Sequence, residues 1–61
     1  MSRVELFKDN EWILISWHKN VDNAIINAEV IYRSRKCDVR VISEGNVVWM
    51  KLGNSDTKIV E

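Results

Sequence analysis

Residues Glu11–His18, EWILISWH, decide the fold. Successive side chains of a strand point to opposite faces, so Ile13, Ile15 and Trp17 share one side while Trp12 and Leu14 share the other. A strand wet on one face alternates apolar with polar residues, but this one is apolar on both and requires two buried surfaces. One is the core of the domain itself. The other needs a cover from outside it.

Working back toward the N-terminus, residues 3–7 (RVELF) alternate, and Lys8, Asp9, Asn10 and Glu11 then interrupt the apolar pattern. Asp and Asn tolerate positive φ, so a two-residue type I′ turn at Asp9-Asn10 pairs Lys8 with Glu11 and Phe7 with Trp12. A regular ladder then puts Val4, Leu6, Ile13, Ile15 and Trp17 on one face, and Arg3, Glu5, Phe7, Trp12 and Leu14 on the other.

From Asn20 onward the apolar period lengthens. Val21, Ala24, Ile25, Ala28, Ile31 and Tyr32 fall within one stripe about 120° wide on a helical wheel, which predicts an amphipathic helix of about four turns. Asn20 suits the N-cap, Asp22 the positive end of the helix dipole, and Arg33, Arg35 and Lys36 its negative end. Ile26 and Val30 lie on the opposite side, outside the stripe.

A second hairpin follows, with residues 38–43 and 46–52 joined at Glu44-Gly45, where glycine takes the positive φ that other residues resist. A two-residue turn and a regular ladder place Val39, Val41, Val48, Met50 and Leu52 on one face and Arg40, Ile42, Val47, Trp49 and Lys51 on the other. Gly53 and Asn54 break the strand. Residues 1–54 therefore read as one α+β domain of ββαββ order, a four-stranded sheet with one helix on one face, and residues 55–61 as a tail expected to fray. A right-handed helical crossover makes the second and third strands parallel, either as neighbours or with the first strand between them. The expected core is Val4, Leu6, Ile13, Ile15, Trp17, Val39, Val41, Val48 and Met50 against the helix stripe.

On this reading the face opposite the helix carries Phe7, Trp12, Leu14, Ile42, Val47 and Trp49, interrupted by Arg3, Glu5, Arg40 and Lys51. Six large apolar side chains exceed the few hundred Å² that a soluble monomer exposes in one patch. Aromatics around an arginine resemble the core of a protein interface in composition. The chain has 61 residues, and a domain of that size buries only about 60% of the surface its unfolded chain exposes. Such domains recruit disulfides, a metal or a second subunit. Cys37 and His18 are the only residues of their kinds, which leaves no internal disulfide and no zinc-ligand spacing. The expectation is a homodimer through the sheet, with Phe7, Trp12, Leu14, Arg40, Ile42, Val47 and Trp49 at the interface.

Nine basic residues balance nine acidic ones, so no bulk charge draws the chain to nucleic acid or anionic lipid. No apolar run approaches the roughly 18 residues of a membrane span, and MSRVELF lacks the apolar segment of a secretory signal. A reduced cytoplasmic setting is expected. The Ile-, Asn- and Lys-rich, proline-free composition is what an AT-rich genome produces and is common in small bacteriophage proteins, for which the setting would be a host cytoplasm.

Chemistry is sparsely signalled. His18 could pair with Ser16, Asp22 or Cys37 as base and nucleophile, but no glycine-rich oxyanion loop and no paired carboxylates accompany it. The two glycines, Gly45 and Gly53, form no phosphate-cradling loop, and neither metal nor cofactor is expected. The functional expectation is a non-enzymatic module that binds another protein as inhibitor or adaptor, with Ile26, Val30 and Arg33 on the helix as the partner-binding side. The alternative is a single-stranded nucleic-acid-binding regulator, with Phe7, Trp12 and Trp49 stacking bases beside the basic cluster Arg33, Arg35, Lys36 and Arg40. That sheet lacks the aromatic signature of the common RNA-binding modules.

Overall fold

Asp9 and Asn10 take φ of 54° and 66°, and Glu44 and Gly45 take 51° and 82°, so both tight turns have the left-handed conformation that matches the twist of a hairpin. They organise a computed structural model that describes residues 1–53; the tail expected at 55–61 lies outside the described residues. The chain runs β1 (Ser2–Lys8), β2 (Glu11–His18), α1 (Val21–Arg35), β3 (Val39–Ser43) and β4 (Asn46–Lys51), an α+β fold of ββαββ order. The sheet order is β2-β1-β3-β4 and every neighbouring pair is antiparallel. Of the two arrangements the crossover allowed, the chain adopts the one in which β1 lies between β2 and β3.

Helix α1 begins where the Asn20 side chain accepts a hydrogen bond from the Asp22 amide at 2.7 Å. It ends at Lys36, whose left-handed φ of 57° turns its N–H back onto the Tyr32 carbonyl at 2.7 Å. Ala24 and Ala28 are fully buried, and such small side chains let the helix axis approach the central strands closely. The dry core is Val4, Leu6, Val39 and Val41 from the two central strands against those two alanines, with Val21, Ile25, Ile31 and Tyr32 packed around it. Gly53 closes the fold by donating its N–H to Asp38 Oδ1 at 2.8 Å, and a Cβ at this position would collide with the Lys36 carbonyl.

The register departs from a regular ladder once in each outer strand, and both departures change which side chains face the helix. In β2, Lys8 faces Glu11, Phe7 faces Trp12 and Glu5 faces Leu14, but Val4 then faces Ser16, leaving Ile15 without an opposite residue. Beyond this β-bulge every side chain is inverted. Trp17 therefore pairs with Arg3 on the open face, not with the helix-side core, and Ile15 is exposed at the bulge.

A second bulge in β4 falls at Val48: Ile42 faces Val47, but Val41 faces Trp49 and Arg40 faces Met50. Trp49 accordingly packs against the helix-side core and Met50 stands on the open face, the reverse of the regular-ladder expectation. Lys51 also moves to the helix side, its Nζ 5.1 Å from the Tyr32 ring centroid. Val48 at the bulge and Leu52 beyond the strand are exposed, as is Ile13 on the outer strand β2, so none of the three is core.

Candidate functional site

The open face is an array whose columns are the four strands. One row reads Trp17, Arg3, Ile42, Val47; the next reads Leu14, Glu5, Arg40, Met50; the third holds Trp12 and Phe7. Strand β1 brings Glu5 between Arg3, two residues earlier on its own strand, and Arg40 directly across on β3. Glu5 Oε2 accepts from Arg3 Nε at 2.8 Å and Oε1 accepts from Arg40 Nε at 2.7 Å. The Glu5 side chain is 11% exposed. Burial by itself would push its carboxyl up, but the hydrogen bonds from Arg40 and Arg3, reinforced by their charges, outweigh burial and hold it below its ordinary value.

Aromatic rings frame this ion network. The Arg40 guanidinium carbon lies 4.1 Å from the Trp12 ring centroid, and Phe7 meets the same indole at 5.1 Å with the rings tilted by 59°. Arg3 reaches toward Trp17 at 6.0 Å. Around this rigid centre stand Leu14 (46% exposed), Trp17 (53%), Val47 (48%) and Met50 (44%), while Ile42 is buried between the charged column and β4. The network explains how an arginine and a glutamate sit in the middle of an apolar face: each charge is paired, and one cation is also stacked on an indole.

Of the residues the sequence assigned to this face, Phe7, Trp12, Leu14, Arg40, Ile42 and Val47 come together there and Trp49 does not. The structure adds Trp17 and Met50, both delivered by the bulges. Nothing local marks either bulge, because neither contains a glycine or a residue with positive φ. Arg3 and Glu5, which in the sequence only interrupt the apolar run, prove to organise it.

The partner-binding candidates Ile26, Val30 and Arg33 all lie exposed on the outer side of the helix. The basic cluster does not assemble. Arg33, Arg35 and Lys36 are exposed at the helix end, whereas Arg40 is held by Glu5 and Trp12 on the other side of the sheet.

Among the residues weighed beside His18, Ser16 is in contact, its Oγ 3.0 Å from His18 Nε2. Ser16 Oγ also donates to Asn27 Oδ1 at 3.1 Å, which ties the end of β2 to the helix. Half-buried Cys37 donates its thiol to the Arg35 carbonyl at 3.4 Å. It helps line a shallow depression of about 230 Å³ with Phe7, Lys36 and Asp38. Among the described residues no group of three His, Cys, Asp or Glu side chains could hold a metal ion, and no helix is long and apolar enough to cross a membrane.

Comparison of the chain with protein-family models, with curated proteins and with solved structures finds no match.

Proposed function

We propose that this chain is a non-enzymatic interaction module that forms a homodimer through the open face of its sheet and acts as an inhibitor or adaptor of another protein, in the cytoplasm. The observation that carries the reading is the ring of half-exposed apolar side chains, Leu14, Trp17, Val47 and Met50, around a preordered Arg3-Glu5-Arg40 centre. Side chains already fixed by ion pairs and stacking lose little freedom on association, which favours binding through them. A second copy also supplies the apolar burial that so short a chain lacks. Ile26, Val30 and Arg33 remain outward in such a dimer and are assigned to the protein target. A composition shared with small bacteriophage proteins suits a stoichiometric inhibitor, which needs shape and no active site.

Sedimentation at micromolar concentration tests the reading: a mass near twice the 7.2 kDa of the chain is expected, and a well-folded monomer throughout would overturn it. Capture from the native host with the Ile26→Lys, Val30→Lys double variant as control tests the target side. The nucleic-acid alternative retains less of its platform, because Trp49 faces the helix and Arg40 covers Trp12, leaving Trp17 beside Arg3. Titration with labelled single strands at about 50 and 200 mM salt addresses it: steep salt dependence would favour it and absence of binding at the lower salt would remove it.

A further inference from the structure

The three rows of the open face hold three ionised side chains, and their charges do not cancel. Arg3 and Arg40 bring two positive charges and Glu5 one negative, so one positive charge is left over. The Glu5 side chain is 11% exposed against 38% for Arg3 and 23% for Arg40, so it is the cations that meet solvent. Each arginine gives Glu5 a single hydrogen bond, from Nε in both cases. Among the described residues neither guanidinium makes another, which leaves the Nη groups of both with donors to spare. The Arg40 plane is further held on the Trp12 ring, so little of its freedom remains to be lost on binding.

The row through this centre reads Leu14, Glu5, Arg40, Met50 from β2 to β4, with an exposed apolar side chain at each end. Neighbouring strands lie about 4.8 Å apart, which sets Leu14 and Met50 about 14 Å from one another. In an extended peptide alternate side chains share a face, and residues i and i+4 are also about 14 Å apart, with i+2 midway. Laid across the strands, such a peptide puts one apolar side chain on Leu14, another on Met50 and its central side chain at the arginines. A basic residue there would add to the surplus charge; an acidic one removes it. One carboxylate matches the surplus, whereas a phosphate carries a charge of about −1.5 to −2 and overshoots it.

We infer that the open face is a binding site for an extended acidic peptide segment of the pattern apolar-x-acidic-x-apolar, its carboxylate taken by the Nη groups of Arg3 and Arg40. This goes beyond the homodimer reading and does not depend on it; a second copy on the same face would compete with the peptide. The test uses chains dilute enough to sediment as monomers. An acetylated, amidated peptide Leu-Ser-Glu-Ser-Leu is titrated in, and its counterpart with glutamine in place of glutamate serves as the control. Binding is read from tryptophan emission, to which the peptides contribute nothing and which Trp12 and Trp17 report from beside the two arginines.

The glutamate peptide should saturate the signal within the millimolar range and bind about tenfold more tightly than the glutamine peptide, since a hydrogen-bonded charge pair is lost in the control. The Arg3→Gln chain, its fold checked by circular dichroism, should lose most of that preference, and Arg3→Lys should restore only part of it because an ammonium lacks the planar fork. Met50→Ser should weaken both peptides alike. Equal affinity for the two peptides, or no binding of either, would overturn the site. So would a single-stranded oligonucleotide that binds more tightly and displaces the peptide, which would assign the arginines to phosphate.

Discussion

The two faces of this sheet bury their side chains by different physics, although they alternate residue by residue along the same strands. On the helix side Val4, Leu6, Val39 and Val41 meet Ala24 and Ala28 in a dry core where burial of apolar area supplies the stabilisation. One residue away, Glu5 is almost as deeply buried, yet among guanidinium groups and indole rings. An apolar core stabilises the fold outright. A paired charge network contributes little net stability but fixes geometry, which is what an interaction surface requires. Substitutions on the helix side should therefore damage folding, and those on the open face association.

The largest expected effect is Leu6→Ala, which removes a buried side chain beneath the helix and should lower unfolding free energy by about 3 kcal/mol in denaturant titration. A sharper contrast comes from two tryptophans of the same composition and opposite placement. Trp49→Ala should destabilise the fold by about 2 kcal/mol because the ring packs on the core, whereas Trp17→Ala, compared in chains dilute enough to be monomeric, should stay within about 0.5 kcal/mol and weaken self-association instead. Equal losses of stability from the two would contradict the bulged register.

Glu5→Gln removes the charge between two arginines and should cost about 1 kcal/mol, since both guanidinium groups keep partial access to water. Its pH signature follows from the direction of the shift. With the folded carboxyl held below its ordinary value, the wild-type contribution is fully present above the ordinary value and is lost as pH falls through the depressed one. The Glu5→Gln chain should lack that component in thermal melts taken across the acid range. The smallest effect is expected for the Ile26→Lys, Val30→Lys pair, exposed on the outer helix, at about 0.5 kcal/mol or less in the same melts.

What was legible in the sequence follows the range of the interactions involved. Asp9-Asn10 and Glu44-Gly45 announced their turns because positive φ is a local preference, and Asn20 announced the helix start because a cap acts two residues away. The ββαββ order followed from those signals. The exchange of Trp17 with Trp49 was not legible, because a bulge in an edge strand is favoured by packing across the sheet and leaves no mark in residues such as Ile15 or Val48. The Glu5 to Arg40 pair was hidden for a related reason. It requires β1 beside β3, and strand order was the one feature of the topology that the sequence left open.

Fluorescence of single-tryptophan chains over a concentration series tests most directly whether the open face is the surface this protein uses. A Trp12→Phe, Trp49→Phe chain retains Trp17, and a Trp12→Phe, Trp17→Phe chain retains Trp49. Emission from Trp17 should shift to the blue and resist quenching as concentration rises through the micromolar range, while Trp49, half-buried against the core on the other side of the sheet, should stay constant. A Trp17 signal independent of concentration in a chain that sediments as a dimer would contradict assembly through this face.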